Sequence, residues 1–243
     1  MRYSLRLLKR DLRESARALF DSLLPPTCLG CREPGDPFCG PCRAGLARRG
    51  GPACPRCGER VLVAGSPCQV DHRQLAGLSW HVAPYAYRGT GGALVRRFKL
   101  DANGAAGDWL ARAMAAMACE RFGATWRQAL LVPVPLHASR RRARGFDQAE
   151  WLARAVARRL RCGRVLPVLE RQAPTLPQGD PRVRSRERNV AAAFAVRLPR
   201  PVVGARVVLV DDVFTSGATA RTCARLLREA GAAEVALLTA CRS

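Results

Sequence analysis

Between residues 28 and 72 the chain carries three CxxC pairs and a closing CxxxH: CLGC (Cys28, Cys31), CGPC (Cys39, Cys42), CPRC (Cys54, Cys57) and CQVDH (Cys68, His72). No other feature restricts the fold as tightly. A segment this short, rich in Gly and Pro and poor in large apolar side chains, buries too little surface to hold a shape without cross-links or metal. Two cysteines separated by two residues turn both thiolates toward one tetrahedral ion, and glycine or proline inside the turn lets backbone amides approach sulfur. Eight ligands make two sites. Sequential pairing gives a four-Cys site (Cys28, Cys31, Cys39, Cys42) and a three-Cys, one-His site (Cys54, Cys57, Cys68, His72), although the spacing alone leaves a crossed pairing open. His72 is the least constrained of the eight, because Asp71 lies beside it on a polar stretch. Full ligand sets leave no open coordination position, so the expected metal is structural Zn²⁺.

Disulfides would need an oxidising compartment. The N-terminal stretch MRYSLRLLKRDLRESARALFDSLL lacks the unbroken apolar block of a secretory signal, so a cytoplasmic, reduced setting is expected. Cys119, Cys162, Cys223 and Cys241 are scattered singly and are expected to be small buried hydrophobes.

A chain of 243 residues with 48% hydrophobic content holds one ordinary domain plus something small. Residues 1–26 carry Leu5, Leu8, Leu12, Ala16, Leu19, Phe20 and Leu23 at helical spacing and stop at Pro25-Pro26, which predicts an amphipathic helix. Residues 27–75 form the cysteine-rich segment. Residues 80–243 read as α/β, with helices near 91–99, 105–122, 147–160 and 219–230 and strands near 130–135, 165–168, 192–196, 206–210 and 235–240. Continuous apolar strands alternating with helices predict a mostly parallel sheet covered by helices on both faces. Trp80, Tyr85, Tyr87, Trp126 and Trp151 are expected in the core. No run is long and apolar enough for a membrane span.

The formal charge is +22, and Lys9 and Lys99 are the only lysines, so nearly all of the 41 basic residues are arginine. A preference for arginine over lysine can follow codon bias, but an excess of base over acid cannot. The excess implies an anionic partner, such as nucleic acid, a phosphorylated metabolite or acidic lipid.

RVVLVDDVFTSGATARTCARLLREAG, residues 206–231, is the most informative segment for chemistry. An apolar strand delivers Asp211 and Asp212 at its C-terminal end, and the loop Thr215-Ser216-Gly217-Ala218-Thr219 then enters a helix. Backbone amides of such a loop wrap a phosphate, the hydroxyls add donors, and Gly217 allows close approach. Paired aspartates can receive sugar hydroxyls, with Mg²⁺ among those groups. The string resembles the signature of the type I phosphoribosyltransferases, which bind 5-phosphoribosyl-1-pyrophosphate (PRPP) at this turn.

Two further segments fit that resemblance. His137 to Gln148, with Arg140, Arg142, Arg144, Gly145 and Gln148, falls where the resembling fold places its pyrophosphate loop. Thr175 to Phe194, with Arg182, Arg184, Arg186 and Arg188, falls where it places a mobile hood that keeps water from an oxocarbenium-like ribose.

The combination is narrower still. PPTCLGC, Lys99 within RRFKL, VPVPLHxxRxxxRGFDQ, TxxQ followed by RxRxxRNVxxAF, and VVLVDDVFTSGAT resemble the ComF family, which includes competence ComF proteins and GntX-like members. Two positions depart from the family's pattern. Asp147 stands where asparagine is usual, which makes the local charge less favourable to phosphate, and the last metal pair is Cys68/His72 in place of two cysteines. The resemblance implies a double zinc ribbon attached to a type I phosphoribosyltransferase fold, with a link to DNA uptake. It implies Asp211, Asp212 and Arg144 as the catalytic set, and Lys99, Arg140, Arg142, Gly145, Gln148, Arg184 and Arg188 around pyrophosphate. Three functions stay open: a PRPP/Mg²⁺-binding competence protein that transfers phosphoribose to an unknown acceptor, a non-catalytic single-stranded-DNA scaffold, and a nucleotide-salvage enzyme.

Overall fold

The structure is a computed structural model, and it describes residues 25–49, 51–123, 128–161, 164–172 and 193–243. The expected helix over 1–24, Trp126, Cys162 and the hood arginines Arg182, Arg184, Arg186 and Arg188 lie outside the described residues.

The centre of the molecule is a six-stranded parallel sheet. Its strands are β1 (His81–Val82), β2 (Tyr85–Ala86), β3 (Leu130–Pro133), β4 (Arg164–Val165), β7 (Arg206–Phe214) and β8 (Glu234–Arg242). They run in the order β1-β8-β7-β3-β4, with β2 also on β8. A separate antiparallel pair, β5 (Leu169–Arg171) and β6 (Phe194–Val196), flanks it. The continuous apolar runs LLVP, VVLV and VALLTA form central strands because both of their faces are buried. Strand alternation sorts them. Leu131, Val208, Val210, Ala236 and Leu238 join one core, while Leu130, Val132, Val207, Leu209, Val235 and Leu237 join the other.

After a short helix in the cysteine-rich segment, α1 (Gly40–Ala44), helices α2 (Gly89–Leu100), α3 (Gly104–Phe122) and α5 (Gln148–Leu160) cover the first face through Leu94, Phe98, Leu110, Met114, Leu152 and Val156, all fully buried. Helix α6 (Ala218–Glu229) covers the second through Cys223, Ala224 and Leu227. Each fully buried side chain of this kind is worth roughly 1.5–3 kcal/mol. The three helices of the first face meet at Gly107, where an added Cβ would lie 2.5 Å from the Phe98 ring and 2.9 Å from Trp151. Gly107→Ala is therefore expected to cost about 1–3 kcal/mol by overpacking, read from urea unfolding.

Several expectations change in detail. The strand expected over 206–210 runs on to Phe214, because its pairing with β8 continues through Phe214↔Arg242. The basic segment expected as a loop contains a short helix, α4 (Ala138–Arg144), closed by Gly145 at φ 76. The Asp147 carboxylate accepts from the Glu150 N–H at 3.1 Å, capping α5, and from the Leu136 N–H at 3.2 Å, and its charge is still felt at Asp211. Cys119, expected to be buried, is exposed near the end of α3, whereas Cys223 and Cys241 are buried. Tyr85 is core, and Trp80, Tyr87 and Trp151 pack against it while partly exposed.

The cysteine-rich segment folds as two knuckles with one hydrogen-bond plan. Cys28 N–H bonds Glu33 O and Cys54 N–H bonds Glu59 O, each at 2.8 Å, and isolated bridges pair Thr27 with Pro34 and Ala53 with Arg60. Arg32 (φ 75) and Gly58 (φ 66) occupy the same left-handed position after the second cysteine. The repeat P-x-C-x-x-C-x-E, at residues 26–33 and 52–59, is visible in the sequence once the two knuckles are superposed.

Candidate functional site

Both metal clusters assemble in sequential order. Cys28, Cys31, Cys39 and Cys42 form one set and Cys54, Cys57, Cys68 and His72 the other, with the ligand atoms of each set within 4.8 Å of one another. A tetrahedral ion with Zn–S bonds of about 2.3 Å requires thiolates about 3.8 Å apart. Cys28–Cys39 and Cys57–Cys68 are separated by 3.5 Å between sulfurs, Cys31–Cys39 by 3.8 Å, and Cys54 Sγ lies 3.6 Å from His72 Nε2. Burial pushes the Cys28 thiol up, but backbone amides of Cys31, Cys39 and Gly30 outweigh it and bring the thiol down to about 6. The donor set, its spacing and its amides fit structural zinc. Gly30 is required here because a Cβ on it would lie 2.5 Å from Cys42 Sγ.

The paired aspartates lie inside β7 rather than after it, and alternation sends them to opposite faces of the sheet. Asp212 faces α2, where Lys99 Nζ reaches its Oδ1 at 2.8 Å. Asp211 faces α6. Burial first, and then the Asp211 charge, push the thiol of Cys223 on α6 upward. Burial and the neighbouring Asp212 charge raise the Asp211 carboxyl itself to about 8. The Asp211 Oδ1 also accepts the Asp212 N–H at 2.8 Å.

Thr215, Ser216 and Gly217 then lead into α6, whose first residues are Ala218 and Thr219. Gly217 is the N-cap, at φ 74, and offers no side chain to the helix; no acid occupies the first turn. A helix start of this kind favours an anion through its first-turn amides and dipole. Arg221 Nη1 donates to Ser216 O at 2.9 Å and shapes the loop from behind.

Of the expected pyrophosphate residues, Arg140 and Arg142 are exposed on α4. Arg144 Nη1 donates to Gln148 Oε1 at 3.1 Å. Gln148 is buried and its Nε2 has no hydrogen-bond partner among the described residues. Arg171 on β5 was not anticipated. Burial lowers its pKa, as does the nearby Arg140 charge, and the Asp211 carboxylate opposes them. Its position beside the expected hood is the only sequence signal that marked it.

Residues 147–243 match the phosphoribosyl transferase domain family and residues 19–70 the double zinc ribbon family. The chain is similar to proteins named for competence and for DNA utilization. It is 27% identical to competence protein ComFC of Streptococcus pneumoniae over 204 residues, 82% of this chain and 84% of that one. DNA utilization protein YhgH of Escherichia coli is 39% identical over 113 residues, 46% of this chain and 49% of the relative. Competence protein F of Haemophilus influenzae is 32% identical over 106 residues, 43% of this chain and 46% of the relative. The chain spans about half the length of the YhgH and competence protein F relatives it matches. Its sheet, helices and cysteine clusters have the architecture of a type I phosphoribosyltransferase-like domain joined to a double zinc ribbon. No helix among the described residues is long and apolar enough to cross a membrane.

Proposed function

We propose that this chain acts as a ComF-type protein: it binds PRPP with Mg²⁺ at the β7–α6 turn, in the cytoplasm, and acts in DNA uptake, with transfer of phosphoribose to an acceptor as its chemistry. The observation that carries this reading is the juxtaposition of Asp211 and Asp212 with an uncapped helix start opened by Gly217. In this reading Thr215, Ser216, Thr219 and the amides of 217–219 hold the 5′-phosphate, and Asp211, on the face that the turn enters, receives ribose hydroxyls while Asp212 anchors Lys99 on the other face. The Asp211 carboxylate, completed by oxygens of the ligand, would hold Mg²⁺, which would supply charge neutralisation at the departing pyrophosphate. Lys99, Arg140, Arg142 and Arg144 line the approach as fixed positive charge.

Calorimetric titration with PRPP and Mg²⁺ tests the reading directly. Wild type is expected to bind saturably and the Asp211→Asn/Asp212→Asn double variant, verified as folded, is expected not to bind. Equal binding by both would end the assignment.

The raised Asp211 carboxyl adds a pH signature. A protonated Asp211 favours the folded state, and that contribution is lost as pH rises through about 8. Ligand that needs the ionised form therefore releases a proton below that pH. Affinity is expected to strengthen between about pH 6 and pH 9, by up to about tenfold per unit at the steepest. Binding enthalpy at pH 7 should differ between buffers of different ionisation enthalpy. No buffer dependence would mean that Asp211 is not the group being ionised.

A second reading, a single-stranded-DNA-binding scaffold, is favoured by the +22 charge and by exposed Arg140, Arg141 and Arg142 on α4. It predicts affinity for an oligonucleotide that falls steeply and log-linearly with added salt. Binding that ignores salt would remove it.

A further inference from the structure

The second zinc knuckle does not merely precede the phosphoribosyltransferase-like domain; it is built into the wall of the β7–α6 turn. His72, a ligand of the second cluster, opens a single 3-10 turn, His72–Leu75. Two residues on, the Gln74 carbonyl sits against Gly217, where a Cβ would lie 2.5 Å from the oxygen. The chain then follows α6 along its length. Leu75 and Leu78 bury against the face that carries Ala218, Ala220, Ala224 and Leu227. Arg228 at the far end donates through Nε to Gly77 O at 2.7 Å.

A second set of contacts reaches the same turn from the other knuckle strand. The buried Arg242 donates to Cys57 O at 2.9 Å, and its guanidinium lies 5.5 Å from the centre of the Phe214 ring. His81 stacks on Phe214 with centroids 4.4 Å apart, and its N–H bonds Arg56 O at 2.7 Å. Phe214 is the last residue of β7, immediately before Thr215. Both ends of the phosphate loop, Phe214 and Gly217, thus rest on backbone that the second metal cluster holds.

We propose that the second zinc site is a positioning element for the phosphate loop: ligation by Cys54, Cys57, Cys68 and His72 sets the His72–Leu75 turn, whose Gln74 carbonyl seats Gly217. Among the described residues the first cluster has no such route. It docks on the other face of the sheet: Arg97 of α2 donates to Cys28 O at 2.9 Å, Arg32 pairs with Asp101 at 3.2 Å, and Phe38 packs edge-on against Trp109. Metal loss at the two sites therefore has different local consequences. The mechanical coupling stands on contacts alone; its effect on PRPP rests on the reading given above.

Amide hydrogen exchange on ligand-free, full-length protein separates these. The Arg221 N–H bonds Gly217 O at 2.8 Å and reports the seat of the loop. In Cys68→Ser, exchange at Arg221 and Thr222 is expected to rise at least tenfold, while amides 152–156 in α5 stay as in wild type. Cys31→Ser is expected to leave Arg221 and Thr222 unchanged. Equal exchange in wild type and Cys68→Ser, or the same increase in Cys31→Ser, overturns the proposal. If Cys68→Ser fails to fold, Arg228→Met decides, because it loosens the same segment without touching a ligand. It is expected to raise exchange at Arg221 several-fold, and no change overturns the proposal. PRPP affinity of Cys68→Ser, measured in parallel, should fall at least tenfold. Absence of PRPP binding by wild type would defeat the functional reading while leaving the exchange result to judge the coupling.

Discussion

Gly217→Ala is expected to destabilise the protein by about 2–4 kcal/mol, the sum of backbone strain and a displaced contact. It is also expected to abolish binding of phosphate or PRPP at the turn. The residue sits at φ 74, and the new methyl group would lie 2.5 Å from Gln74 O and 2.9 Å from Phe214 Cζ. Neither neighbour is free to yield. Gln74 O belongs to the turn that follows a metal ligand, and Phe214 is clamped between His81 and Arg242. In a domain of this size such a loss lowers Tm by about 4–16 °C. Gly204→Ala is the proper control: its φ is 69, yet nothing lies within 4 Å of the added Cβ. It incurs the strain alone, about 1 kcal/mol. Urea unfolding of both variants isolates the contact. If the two losses were equal, the close approach at Gly217 would carry no energy and the seat described above would be wrong.

Cys28→Ser is expected to reduce bound zinc from two ions per chain to one and to cost at least about 4 kcal/mol, since binding of a structural ion is folding free energy. Cys28 is the buried centre of the first cluster and its sulfur accepts amides from Gly30 and Cys39 at 3.3 and 3.4 Å. Its carbonyl matters as much, because it receives the buried Arg97 guanidinium. Loss of the knuckle leaves that charge without its acceptor inside α2, the helix that holds Lys99 on Asp212. Zinc analysis on purified protein, followed by equilibrium unfolding, checks both parts. Two zinc ions retained at unchanged stability would remove Cys28 from the ligand set.

The departures from expectation have a common origin. The segment around Arg140 was expected as an open basic loop; the chain there turns into α4, and the Asp147 carboxylate caps α5 while its charge still reaches Asp211. Cys119 looked buried by residue type alone, but its position on α3 faces outward. Both outcomes depend on which face of an element meets a neighbour, and a single residue carries no record of that. The repeated knuckle, by contrast, was readable: the two P-x-C-x-x-C-x-E strings are 26 residues apart, and the structure gives both one hydrogen-bond plan.

The sequence by itself determined the metal ligands, the parallel α/β class and the order strand, acids, small-residue turn, helix at 206–231. Each of these is local: CxxC spacing brings two sulfurs to one ion within a single turn, and a short β-branched run closed by a small-residue turn reads as a buried strand. Only the tertiary structure decided that Lys99 meets Asp212 and that the Gln74 carbonyl supports Gly217. Those partners are separated by more than 100 residues in the chain. They are brought together by the burial of α2, α6 and the knuckles on a common sheet, which depends on the sum of many apolar contacts rather than on any motif.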